Sequence, residues 1–316
     1  MPLKAFIGML NPMPPHPESA PAGHTIDHVA HFLPDLDAAS TALTRLGFTL
    51  TPLSAQSHRV TPGGPLTPAG TSNRCVMLAC GYLEFLTPMH ETHDTPNAQQ
   101  LRDAMARYTG VHLIAFGTDA PDADHARLAR EDFAPLPAVA LQRQVDTEDG
   151  DATARFTVVR VPPDAMAEGR IQYCHHHTPG VVWQPRWIDH PNHATGLAGV
   201  LICVDDPAYA AQRYARFTGL AARPAGKAWR IDTARGYLLF YSPDVSQQWL
   251  NITPPVLPWI AGYVIDSRDM AATRAITRHI ADGQKLADRL CVTLPDTLGG
   301  MMIFQTAGSP PLNPLE

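Results

Sequence analysis

The sequence predicts an α+β fold built from four copies of one unit: a strand, a helix, then further strands. Two observations predict it. The phrase GYLEFLTP at residues 81–88 returns as GYLLFYSP at 236–243. Four segments, starting near residues 25, 110, 196 and 260, also pass from an apolar strand-like stretch through an acidic turn into a helix-like run.

The first unit opens with TIDHVAHFLPDLDAASTALTRLGF, where alternating apolar residues meet Asp35 and a helix follows to Leu46. Asp35 or Asp37 suits the helix N-cap and Gly47 its end. GVHLIAFGTDAPDADHARLAREDF repeats the arrangement from residue 110, GLAGVLICVDDPAYAAQRYARFTGL from 196 and IAGYVIDSRDMAATRAITRHI from 260. Each unit closes on a matching strand: GYLEFLTP, then RIQYCHHHTP at 170–179, GYLLFYSP, and GGMMIFQT at 299–306.

Length and composition suit this plan. A chain of 316 residues accommodates two domains, and 45% apolar with 17% charged residues is ordinary for a globular protein. The net charge of −6 and the lack of any basic run argue against nucleic acid or an anionic membrane as partner. The N-terminal stretch has one Lys and six consecutive apolar residues, too few for a secretory signal, and no segment approaches a membrane span. A cytoplasmic location is therefore expected. Five cysteines without a CxxC pair read as reduced thiols. The 31 prolines punctuate short elements and extended connectors.

The four βαβββ modules, with HVAHFLPDLDAASTALTRLGFTL leading to GTSNRCVMLACGYLEFLTP, resemble the vicinal oxygen chelate superfamily, most closely its glyoxalase-like branch. The resemblance spans roughly residues 24–306. It implies that modules pair, so that two curved mixed sheets form a cup holding a divalent metal. Domain limits follow: a Pro-rich arm at 1–23, a metal-bearing domain at 24–180 (modules 24–109 and 110–180), a linker at 181–195, a degenerate module pair at 196–306 and a tail at 307–316.

The resemblance also implies that ligands come from the first and last strands of each module. Matching Asp35 to Asp119, Asp205 and Asp266 places the first-strand position at His28, His112, Ala198 and Trp259. Matching the GYLEF phrase places the other position at Glu84, Gln172, Leu239 and Ile303. The first pair of modules thus offers His28, Glu84, His112 and Gln172, while the second offers nothing that ligates. Two imidazoles and a carboxylate suit a divalent first-row ion (Fe, Mn, Ni, Co or Zn) and leave positions open for substrate or water. Glu84 on an inward strand face costs several kcal/mol unless a cation or strong donors meet it. Gln172 is a weak fourth ligand or a neighbour of the ion.

Other candidates surround the cup. His176 in CHHHTP shares a strand face with Gln172 and is a candidate proton carrier; a hydrated strand end is the plainer alternative. His58 is a second catalytic candidate. Asn73 and Arg74 in GTSNRC, and Trp183 and His193 in the connector VVWQPRWIDHPNH, are candidate substrate contacts. His31 reads as a core histidine and Asp27 as a solvated or capping residue. No GxSxG, P-loop, HExxH or strand-linked GxGxxG motif occurs.

The resemblance implies a metal-dependent isomerase or lyase acting on a small oxygen-chelating substrate, with the ion stabilising developing negative charge. Two alternatives use the same fold: a non-haem Fe(II) ring-cleaving dioxygenase of the extradiol type, and a metal-free small-molecule binding protein. Four modules complete both cups within one chain, so a monomer or a homodimer is expected.

Overall fold

The computed structural model describes residues 24–59, 64–89, 95–278, 284–286 and 288–315. The N-terminal arm falls outside them. The first module comprises β1 (Thr25–Phe32), α1 (Leu36–Arg45), β2 (Ser54–Arg59), β3 (Leu66–Met77) and β4 (Tyr82–Pro88). After α2 (Pro96–Arg107) comes the second: β5 (Gly110–Gly117), α3 (Pro121–Arg130), β6 (Val139–Thr147), β7 (Gly150–Arg160) and β8 (Arg170–His176). Two single turns, α4 (Pro179–Val182) and α5 (Pro185–Ile188), lead on to the third module. It contains β9 (Ala194–Cys203), α6 (Pro207–Thr218), β10 (Ala222–Ala225), β11 (Ala228–Asp232) and β12 (Tyr237–Tyr241). The fourth follows α7 (Pro243–Leu250) with β13 (Trp259–Ser267), α8 (Met270–Thr277), β14 (Gln284–Leu286), β15 (Arg289–Thr293) and β16 (Met301–Thr306).

In every module the first strand runs parallel to the last, and the first strands of paired modules run antiparallel: β1 with β5, β9 with β13. The first half does more than curve. β2 also pairs with β6 through Ser57 and His58, so β1-β4-β3-β2-β6-β7-β8-β5 returns to β1 as a closed eight-stranded ring. A barrel of this size has room for side chains and one small ligand. The second half continues the same sheet through β5 and β13 and stays open among the described residues.

The helices lie outside these curved sheets, and the largest apolar cluster runs through both halves, from Ile26, Val29 and Phe85 to Tyr263, Met302 and Phe304. Polar bonds cross the same seam. Tyr173 Oη donates to the Phe217 carbonyl at 2.9 Å, and buried His31 donates through Nδ1 to the Leu298 carbonyl at 2.8 Å. Among the described residues no helix is long and apolar enough to cross a membrane. Of the five free cysteines four are buried, and Cys80 is exposed.

Helix caps correct the alignment between modules. Asp35 accepts from the backbone N–H groups of Asp37 and Ala38, Asp206 from Tyr209, and Asp269 from Ala271 and Ala272. α3 starts after Ala120, with Pro121 in its first turn and no side-chain cap. The residues equivalent to Asp35 are therefore Ala120, Asp206 and Asp269, rather than Asp119, Asp205 and Asp266. The position equivalent to His28 moves from His112, Ala198 and Trp259 to Leu113, Gly199 and Gly262. Strand pairing agrees: His28 is opposite Tyr82, Leu113 opposite Arg170, Gly199 opposite Tyr237 and Gly262 opposite Met301. A slip of one residue carries a side chain to the other face of a strand. That is what separates His112 from the barrel interior.

The second half has no room for a site at these positions. A Cβ on Gly199 would lie 2.7 Å from the Tyr237 ring, and one on Gly262 would collide with the Met301 carbonyl oxygen. Leu201, Leu239, Trp259, Val264 and Ile303 form an apolar cluster there, and Leu312 from the tail is buried in it.

Candidate active site

β1 and β4 place the chemistry in the first-half barrel. Parallel pairing sets His28 opposite Tyr82 and Ala30 opposite Glu84, and period-two alternation turns His28, Tyr82, Glu84 and Leu86 to the same interior. The cavity inside has a volume of about 70 Å³, room for several waters or the reactive end of a small ligand between these side chains.

His28 is held from two sides. Its ring stacks on Tyr82 at 4.3 Å, and its Nδ1–H donates to Asp27 Oδ2 at 2.6 Å. The proton on Nδ1 leaves the Nε2 lone pair facing Glu84 Oε2, 3.8 Å away. Glu84 is held too: its Oε1 accepts from Asn73 Nδ2 and from Gln56 Nε2 at 3.0 Å, and Thr71 Oγ1 fixes Gln56 at 2.8 Å. Two amides thus offset part of the cost of burying this carboxylate.

Asp27 is not solvated. It is 4% exposed, and its Oδ2 also accepts from His176 Nε2 at 3.0 Å. A register shift between Ile26 and His28 in the pairing with β5 interrupts strict alternation here. Burial alone would raise the Asp27 carboxyl. The charge and hydrogen bond of His176, joined by those of His28, outweigh burial and hold it well below the usual carboxylate range.

The other predicted residues divide. Asn73 and Gln172 line the barrel, and Gln172 Oε1 accepts from Arg160 Nε at 3.2 Å. His176 sits behind Asp27, against Phe156 and Trp183, rather than in the lining. His112 is outside as well: it stacks on Tyr108 at 3.9 Å and donates through Nε2 to the Tyr108 carbonyl at 2.8 Å, and burial lowers its pKa to about 4. Arg74 points to the opposite face of β3 from Asn73 and donates to the Thr51 carbonyl. Trp183 donates to the Leu78 carbonyl, packing behind Tyr82, and His193 accepts from Arg268 near the connector. His58 lies on β2, with its side chain outside the described residues.

Sequence reading missed Arg143, Arg160 and Arg170, which line the barrel from β6, β7 and β8. No motif marks them, and they meet because β6, β7 and β8 pair in turn along the second-module wall.

Two sets of atoms suit a divalent ion. His28 Nε2 and Glu84 Oε2 face each other without a hydrogen-bond partner among the described residues, and a carboxylate orients the imidazole from behind, as in metal centres. Beside them the Asn73 carbonyl oxygen is buried without a partner. Asp27, Cys174 and His176 form the other set, with ligand atoms within 4.8 Å of one another. The donor chemistry fits a divalent cation at either place, with open positions left over.

A family model described as a glyoxalase-like domain matches residues 26–218. Among solved structures, a hypothetical protein from Staphylococcus aureus superposes with a TM-score of 0.59 at 9% identity, covering 90% of this chain and 99% of its own. A mutant of 4-hydroxymandelate synthase from Streptomyces coelicolor gives 0.56 at 15% identity, with 92% and 95% covered. A fusion of a xylose isomerase-like TIM barrel with 4-hydroxyphenylpyruvate dioxygenase gives 0.57 at 10% identity, covering 93% of this chain and 50% of the fusion. At these identities the likeness is one of fold. A search of curated proteins finds no match.

Proposed function

The chain belongs to the glyoxalase-like domain family, and we propose that it is an enzyme whose first-half barrel holds a divalent metal ion between His28 and Glu84. The observation that carries this reading is the pair of unsatisfied atoms, His28 Nε2 and Glu84 Oε2, 3.8 Å apart, each fixed from behind by its own partners. A bound ion would supply a Lewis acid that stabilises negative charge developing on substrate oxygens.

The protein's own side chains do the rest. Asp27 keeps the proton of His28 on Nδ1, and Tyr82 fixes the ring plane. Leu86, Leu101, Leu113 and Val158 dry one side of the barrel, which strengthens every polar contact within it. Glu84 is the carboxylate of the lining, and with Oε2 on the ion a proton taken from a carbon beside a substrate carbonyl would go to Oε1 as its bond from Asn73 or Gln56 yields. That favours an isomerase or lyase acting on a small substrate with adjacent oxygens. The ring closes within one chain, so the site needs nothing from a second copy.

The ring-cleaving dioxygenase reading needs two imidazoles and a carboxylate converging on one point. Among the described side chains the barrel brings in one imidazole, because His112 faces elsewhere. The metal-free binding reading is an outcome of the following test.

Elemental analysis of the purified protein beside Glu84→Leu and Cys174→Ser tests the proposal. The expected result is about one divalent ion per chain in the parent and in Cys174→Ser, with most of it lost from a folded Glu84→Leu. Loss in Cys174→Ser alone would move the ion to the Asp27, Cys174 and His176 group. No ion in any of the three after reconstitution would leave a binding protein.

A further inference from the structure

We propose that the ligand of the barrel is an organic anion, its negative group held by the guanidinium groups of Arg160 and Arg170 with Arg143 beside them. The charge of the lining carries this inference. Three arginines face the same interior, and among the described lining residues Glu84 is the lone carboxylate. None of the three arginines has an ion-pair partner among the described residues, where the arginine pairs all involve other positions. Asp27 does not balance them, because it is committed to His28 and His176.

The guanidiniums are set by their neighbours rather than by counter-charges. Arg160 spends Nε on Gln172. Arg170 lies 5.3 Å over the Phe32 ring and donates to Gln100, while its Nε is buried with no partner. Holding like charges together in a sheltered space is unfavourable. Burial first, and then the nearby Arg160, pull the pKa of Arg170 down to about 9. Arg170 still stays charged at neutral pH. An anion in the barrel relieves that repulsion and satisfies the open donors, and a guanidinium fork matches a carboxylate or phosphoryl group.

Placement gives the anion a use. The arginines stand on the wall made by the second module, and His28 and Glu84 on the wall made by the first. From His28 through Ala115 to Gln172 is two strand spacings, roughly 10 Å. A substrate of a few carbons, anchored by its negative end at Arg160 and Arg170, therefore presents its other oxygens to His28 and Glu84. The orientation rests on the active-site reading above; the anion binding does not.

Titration calorimetry of the full chain with succinate, inorganic phosphate and the neutral succinamide tests the proposal. Succinate or phosphate is expected to bind and succinamide not to, with affinity falling as salt rises. Which of the two anions binds more tightly tells a carboxylate site from a phosphoryl site. Arg160→Met and Arg170→Met should each weaken the anion about tenfold or more. Arg170→Lys keeps the charge and loses the fork, so it covers a misfolded methionine variant and should weaken binding too. Absence of binding by both anions at millimolar concentration, or unchanged affinity in the folded variants, overturns the proposal. Metal analysis of the same samples separates the two readings. An ion without anion binding overturns this inference alone, and anion binding without an ion overturns the enzyme reading alone.

Discussion

Asp27 Oδ2 accepts a hydrogen bond from His28 Nδ1 at 2.6 Å, and the same oxygen takes a second one from His176 Nε2 at 3.0 Å. One buried carboxylate therefore sets the tautomer of the candidate ligand and ties it to the histidine run that ends β8. Asp27→Asn keeps the volume and removes the charge, so His28 loses the carboxylate that orients it while Glu84 is untouched. Orienting partners of this kind are worth about 10–100-fold in metal affinity. Competition with a chelator should show a loss of that size in a protein that still melts cooperatively. Unchanged affinity would mean that Asp27 serves the fold alone.

His112 provides the opposite prediction. It is stacked on Tyr108 and Phe32 and bonded to a backbone carbonyl outside the barrel lining. His112→Leu should leave the metal content of the protein unchanged. A folded variant that has lost its ion would return His112 to the ligand set and undo the alignment based on helix caps.

These two residues show how far the sequence could be read. The fourfold repeat, the module order and the contrast between Glu84 and Leu239 were legible, because strand-and-helix periodicity and a repeated phrase are local signals. His28, Glu84 and Gln172 came from the family resemblance laid over those repeats, Asn73 from GTSNRC beside them, and all four line the barrel. The choice of His112 failed on one residue of register: the second module caps its helix with Ala120 and Pro121, so counting from Asp119 lands on the wrong strand face. Asp27 was read as a solvated or capping residue, whereas the irregular pairing of β1 with β5 at this point leaves it buried beside His28. Arg160 and Arg170 carry no local pattern. Their meeting is set by the register of β7 on β8, where Arg160 lies opposite Gln172, and they share a barrel with His28 and Glu84 through the pairing of β5 with β1.

Burial of His31 gives a dependence on pH. Its Nδ1 is bonded to the Leu298 carbonyl and its Nε2 to Tyr263 Oη, and burial, stronger than the opposing carbonyl bond, lowers its pKa from 6.5 to about 4. The unfolded chain binds this proton below about pH 6.5, whereas the folded chain resists it until about pH 4. The contribution is therefore whole above pH 6.5 and declines as pH falls through that window. Between about pH 7 and about pH 5 the protein should lose more unfolding free energy than His31→Gln, by about 2 kcal/mol. Denaturant melts at the two pH values measure it. Equal losses would show that His31 takes up its proton in the folded protein.

The tail supplies the last prediction. Leu312 is 3% exposed within the apolar cluster of the second half, and its backbone N–H donates to Tyr237 Oη at 3.1 Å. Tyr237 in turn occupies the space beside Gly199 where the first half has His28. The second half has thus exchanged an open interior for packing, and its contribution is to stability. Leu312→Ala should cost about 2–4 kcal/mol in a chemical melt, from lost burial and the cavity left behind. Metal content and anion affinity, set in the other half, should stay at the parental values. Loss of either in a variant that remains folded would mean that the packed half transmits strain to the barrel across the shared β5 and β13 seam.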